Sequence, residues 1–246
     1  MASFTPTVSV DDPRVVLDDH GIVPPVRGGD DSRPGPGCPD YRTRLRRARL
    51  GLLVALTPVL MLFVSFTSAY IVRQGLPTLD PHTNQMVRDW IPIQLPRLLL
   101  ANTFILLLST ASMELARRQS KREVALSPAS SLSSGLRGDE KAMPWLALTV
   151  LLGICFLARQ WLAWRELASR GFYVATSPSS AFIYLLTGTH AIHLMGGILA
   201  LLVACGATLL RRPAATRSIL VDVTAWYWHF MALLWVYILA LLEFAH

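Results

Sequence analysis

Residues 181–210 read AFIYLLTGTHAIHLMGGILALLVACGATLL, thirty residues without one Asp, Glu, Lys or Arg. About 20 apolar residues in a helix suffice to cross ~30 Å of hydrocarbon, so this stretch reads as a transmembrane helix with length to spare. The surplus implies tilt or protrusion. Its middle is polar: Thr187-Gly188-Thr189-His190-Ala191-Ile192-His193, then Gly196-Gly197. Lipid offers no water to an imidazole, so each histidine needs a protein partner, a cofactor or trapped water.

Working outward, four more apolar segments appear, at 50–72, 98–115, 144–164 and 219–244. Leu95-Pro96 extends the second to 95–115, because proline is tolerated in a first helical turn. The chain is 52% hydrophobic and 16% charged over 246 residues, with a mean hydropathy of +0.42. Such a composition excludes an ordinary soluble domain. The expectation is an all-α integral membrane protein, with residues 41–246 forming a five-transmembrane-helix bundle. Residues 1–40 hold seven prolines and five glycines without apolar periodicity. They are expected to be a disordered cytoplasmic tail, and they have no secretory signal pattern. The Ser-, Pro- and Gly-rich stretch 119–138 is expected to be a flexible connector.

Charge gives an orientation. Arg42, Arg44, Arg46, Arg47 and Arg49 precede the first segment. Arg117, Arg118, Lys121, Arg122, Arg137 and Lys141 separate the second from the third. Arg211, Arg212 and Arg217 separate the fourth from the fifth. All of these fall on one side, and the positive-inside rule makes that side cytoplasmic. The N-terminus is then cytoplasmic and the C-terminus outside. The net charge of +7 follows from this topology and calls for no nucleic acid; its modest partner is an anionic phospholipid surface.

Candidate chemistry is sparse. Cys38, Cys155 and Cys205 are widely spaced and form no CxxC, so no thiolate metal site is expected. His190 and His193 are three residues apart and share a helical face. His229, on the next helix, either approaches them or stands apart. The residues allow haem or metal ligation, a proton relay, or interhelical bonding helped by the small Gly188, Gly196 and Gly197. Glu114 and Asp222 lie near one end of their segments and are expected to reach the interface. Glu166 and Glu243 lie near the other. No carboxylate occupies a segment centre, which argues against an autonomous ion pump. Asn102 and Gln160 read as interhelical hydrogen-bonding groups, and Arg159 as a snorkelling cation. Trp145, Trp161, Trp164, Trp226 and Trp228 suit interfacial aromatic belts, Trp228 lying deeper. No Walker loop, nucleophile elbow or HExxH motif occurs.

Four motifs carry a resemblance. Thr187-Gly188-Thr189-His190-Ala191-Ile192-His193 with Gly196-Gly197 is similar to TGfHGxHVxxG. Trp226-Tyr227-Trp228-His229-Phe230 with Trp235 is similar to WYWHFxDxxW. Leu98–Thr103 with Leu106-Leu107-Leu108-Ser109 is similar to LNTxxLxxSS, and Gly153, Phe156, Gln160 and Trp164 fit GxxFxxxQxxxW. With these motifs in the family's order along the chain, from about residue 48 to the end, the chain resembles subunit III of the haem–copper oxidases in its short five-helix bacterial form. Asp222 falls where many members have Glu. The sequence departs from the family at Val59 and Ala232, where members often carry acids, and at Ala191, where Gly is usual.

The resemblance implies a non-catalytic core subunit of a terminal oxidase in the bacterial cytoplasmic (inner) membrane. It implies no cofactor on this chain, with haem and copper held by a partner, subunit I, beside subunit II. It also implies bound phospholipid and support of proton uptake while the complex reduces dioxygen. Roles tied to the missing acids do not carry over. The implied polar cluster is Asn102, Gln160, His190, His193, Asp222, Trp228 and His229. Two other readings stand beside it: an accessory subunit of a quinol oxidase or nitric oxide reductase-type complex, and a free-standing b-type cytochrome ligated through His229 and His190 or His193.

Overall fold

The fourth helix, α4 (Pro178–Leu209), starts at an N-cap built by its own sequence. Ser177 is extended and its hydroxyl accepts the Ser180 amide, while the Ser180 hydroxyl accepts the Ser177 amide at 3.2 Å. Pro178 follows at the first helical position, where its missing N–H costs nothing. The other end closes with Arg211 N–H donating to Thr208 O and Arg212 N–H to Ala207 O, both 3.1 Å. Arg211 takes φ of 50°, the left-handed place usually filled by glycine. The third helix ends the same way, with Gly171 at φ 86°.

The structure is a computed structural model describing residues 17–18, 21–22, 41–79, 86–87, 98–126, 135–173 and 177–244. Its other helices are α1 (Tyr41–Gly75), α2 (Leu98–Leu126), α3 (Gly135–Ser169) and α5 (Ala214–Phe244). All five are long and apolar enough to cross a membrane. Each runs beyond its apolar segment at one or both ends: α1, α2, α3 and α5 through flanking charged residues, which are good helix formers, and α4 through its capped Pro178-Ser179-Ser180 start. Two-residue strands β1 (Leu17–Asp18) and β2 (Gly21–Ile22) pair antiparallel, as do β3 (Thr78–Leu79) and β4 (Met86–Val87) in the α1–α2 connection. The remainder of the expected tail 1–40 lies outside the described residues. So do residues 127–134 of the connector expected at 119–138, whose flanks are helical.

Residues Tyr41–His246 form one unit. Within it α2 packs along α3 and α5, and α4 packs along α3 and α5. The buried positions of α3 include Leu146, Thr149, Gly153, Phe156, Gln160, Ala163 and Leu167. They alternate by three and four, the spacing that keeps one seam of a helix against its neighbours. α1 touches only α4 and α5 among the helices. Its buried residues, Leu56, Phe63 and Tyr70, recur once every seven, so a single narrow stripe faces the bundle.

Candidate functional site

Two polar regions occupy the bundle. The first lies at the end where α1 and α5 begin. Asp222 is 1% exposed and is surrounded by cations from two other helices. Arg49 Nε donates to Oδ2 at 2.7 Å, while Arg117 Nε and Lys121 Nζ both lie 2.9 Å from Oδ1. Asp222, expected to reach the interface, is enclosed by protein at this end of the bundle. Three cations replace its lost hydration, which a buried carboxylate requires. One turn away, Glu114 accepts from Arg117 at 3.1 Å and Arg118 at 3.0 Å. His229 Nε2 lies 3.4 Å from Glu114 Oε2. The Arg117 guanidinium also sits 5.5 Å from the Trp226 ring centroid.

The second region runs through the apolar interior. Trp228 and Trp235 are fully buried. Each indole N–H donates to a hydroxyl on α2: Trp228 to Ser109 Oγ at 3.1 Å, and Trp235 to Thr103 Oγ1 at 3.0 Å. Trp164 on α3 donates to Thr187 Oγ1 on α4 at 3.0 Å. Asn102 Nδ2 donates to Gln160 Oε1 at 3.2 Å, joining α2 to α3. Tyr227 on α5 donates to the His193 carbonyl on α4 at 2.8 Å. Ser112 and Thr149 hydroxyls lie 2.8 Å apart across α2 and α3. Such bonds favour association where lipid tails give apolar helices no other reason to choose one another.

Glycine makes room for the largest of these side chains. A Cβ on Gly153 would stand 2.8 Å from Trp228 Cη2, and one on Gly197 3.0 Å from Tyr227 Cε1 and 3.2 Å from the Trp228 ring. Trp228 therefore fills a slot that α3 and α4 leave open. Gly188 and Gly196 have only ordinary contacts at 3.7 Å or more, so of the three small residues named on α4, Gly197 is the one that permits close approach.

The three membrane histidines face different neighbours. His190 packs against Phe156 and Trp235, with ring centroids at 6.1 and 5.2 Å. The His193 ring lies 6.0 Å from Phe63 of α1, and its Nδ1 bonds the Thr189 carbonyl at 2.8 Å. His229 turns to Glu114 on α2. Its bond therefore joins α5 to α2. Among the described residues no group of three or more His, Cys, Asp or Glu is placed to hold a metal ion. Cys155 is exposed and Cys205 half-buried, and Cys38 lies outside the described residues. Trp161 is exposed and Trp226 largely so, as interfacial residues are, whereas Trp228 is wholly interior.

The α2 partners Thr103, Ser109 and Glu114 escaped the reading of single motifs. For Ser109 a signal is visible in the spacing: Asn102, Leu106, Ser109, Met113, Ala116 and Ser120, all buried, alternate by four and three along one seam, whereas Thr103 and Glu114 lie beside it.

Comparison with known proteins matches this arrangement to one family. A family model described as "Cytochrome c oxidase subunit III" matches residues 42–244. "Probable cytochrome c oxidase subunit 3" of Mycobacterium tuberculosis is 34% identical over 103 residues, 41% of this chain and 49% of the relative. The Mycobacterium leprae protein of the same description is 27% identical over 112 residues, 45% and 55% of the two chains. The chain thus spans about half the length of these relatives. "Cytochrome c oxidase subunit 3" of Danio rerio is 27% identical over 195 residues, 77% of this chain and 66% of the relative. The match reaches across all five helices, and the chain is a multi-pass membrane protein belonging to the cytochrome c oxidase subunit III family.

Proposed function

We propose that the chain is a non-catalytic core subunit of a haem–copper terminal oxidase, docked on the catalytic subunit I beside subunit II. The observation that carries this reading is the family match over residues 42–244. The placement of the polar residues agrees with it. The tryptophans, Asn102 and Gln160 bond neighbouring helices, and Asp222 bonds cations, as groups that hold a bundle together do. In this reading haem and copper belong to the partner, and dioxygen reduction and proton translocation belong to the complex.

The proposal places the chain in a bacterial cytoplasmic membrane with its N-terminus inside. The exposed members of the basic cluster, Arg42, Arg44, Arg46, Arg47 and Arg118, then meet the cytoplasmic headgroups. Phospholipid contacts the exposed apolar faces. Support of proton uptake by the partner falls to the charged end of the bundle, because Val59 and Ala232 supply no acid in the interior.

Mild-detergent purification of the chain from its native membranes, with mass spectrometry and an absorption spectrum of the eluate, tests the reading. Co-elution of a haem–copper subunit with its haem bands is expected, and its electron-donor site distinguishes a cytochrome c oxidase from a quinol oxidase or nitric oxide reductase-type complex. A chain that elutes alone would overturn the proposal. A stoichiometric haem band on the lone chain would favour the free-standing cytochrome.

A further inference from the structure

His190 is 0% exposed, and neither of its ring nitrogens has a hydrogen-bond partner. A neutral imidazole carries one N–H donor and one acceptor nitrogen, and leaving both unmet inside a bundle costs free energy twice. Asn102, 1% exposed, gives its Nδ2 to Gln160 but leaves Oδ1 unmet. Three orphaned polar atoms on two buried residues are more than packing alone accounts for, since nearly all buried polar atoms in folded proteins have partners.

A run of contacts joins these residues across the bundle. The His190 ring lies beside Phe156 on α3, edge to face, and beside Trp235 on α5, tilted to it. Trp235 donates its indole N–H to Thr103, the residue after Asn102. Gln160, which holds Asn102, is one turn beyond Phe156 on α3.

We infer that His190, Asn102 and Gln160 come together in one layer of the bundle as a site for ordered water, which links α4 to the α2–α3 amide pair. The water donates to Asn102 Oδ1 and to the bare imidazole nitrogen, or accepts from the imidazole N–H, so that a donor and acceptors that face no protein group are met. Buried waters commonly make about three such bonds and are costly to remove. The site differs in kind from the charged end of the bundle, where carboxylates and guanidinium groups meet each other directly.

A density map of the intact membrane assembly, at a resolution where ordered water is visible, tests the inference. Density at about 2.7–3.0 Å from a His190 nitrogen and from Asn102 Oδ1 is expected. Ordered water elsewhere in the bundle with none at this layer would overturn it, as would His190 bonded directly to a protein group. The thermal midpoints of His190→Leu, Asn102→Leu and the double variant give a second readout. A shared water predicts that the double variant melts no lower than the worse single variant, whereas fully additive shifts would overturn the link.

Discussion

α1 and α5 are similar in length, 35 and 31 residues, and both can cross a membrane, yet they sit in the bundle differently. The apolar span of α1 is the more hydrophobic of the two, but only 11% of it is buried inside the protein, against 44% for α5. Apolarity does not decide which helix goes inward, because hydrocarbon tails satisfy leucine as well as a neighbouring helix does. What sets α5 apart is the pair of buried indoles Trp228 and Trp235, whose N–H groups each meet a hydroxyl on α2. α1 is attached by its narrow stripe and by three side-chain bonds to α5. These are Tyr41 to Ser218 at 3.1 Å, Arg49 to Asp222 at 2.7 Å and Tyr237 to Thr67 at 2.9 Å. Tyr70 against Phe182 and Phe63 against His193 add edge contacts with α4.

This contrast is most severely strained at Asp222, the one carboxylate that binds both regions. Asp222→Ala leaves Arg117, Lys121 and Arg49 facing one another, and removing one partner of a buried ion pair costs about 3–5 kcal/mol. Thermal unfolding in detergent should show a large drop, with α1 and the core both loosened. Gly153→Ala attacks the core alone. Its new Cβ meets the Trp228 ring at 2.8 Å, and such overpacking costs about 1–3 kcal/mol. Trp228 fluorescence should shift, while labelling of a cysteine placed at Leu56 on α1 stays unchanged.

Arg49→Gln does the reverse. Arg49 is 37% exposed on its side chain and Asp222 keeps two other cations, so the global cost is about 0–1 kcal/mol. The Leu56 cysteine should nevertheless be labelled up to about fivefold faster as α1 detaches more often. Tyr237→Phe removes a single exposed bond to Thr67, and interhelical bonds of this kind average about 0.6 kcal/mol. At the small end, Leu60→Ala on the exposed face of α1 should change the melting midpoint by no more than about 0.5 kcal/mol equivalent. A large loss there would mean that α1 is not the loosely held helix described above.

The five helices were legible in the sequence because lipid-crossing runs are continuous and charge-free, as in 181–210. Asn102 and Gln160 were legible as bonding groups because amides do not face lipid, although that they bond one another is a tertiary fact. Lipid-facing and helix-facing residues were not separable by hydropathy: exposed Leu60 and buried Leu186 read alike. The partner of His229 was hidden for another reason. Glu114 lies 115 positions away in the chain, and only the packing of α2 along α5 brings the two together. Asp222 read as interfacial because its three cations come from helices whose register the sequence does not give. The slot for Trp228 needed two glycines on different helices, Gly153 and Gly197, to be recognised as one feature.

The central claim is that the histidines of the two C-terminal motifs pack and bond the bundle and hold no cofactor. The most direct measurement is the haem-to-protein ratio of the purified assembly carrying His229→Leu. We predict a ratio equal to that of the wild type together with a lower melting midpoint, since α2 and α5 lose the Glu114 contact. Loss of one haem per assembly would contradict the account.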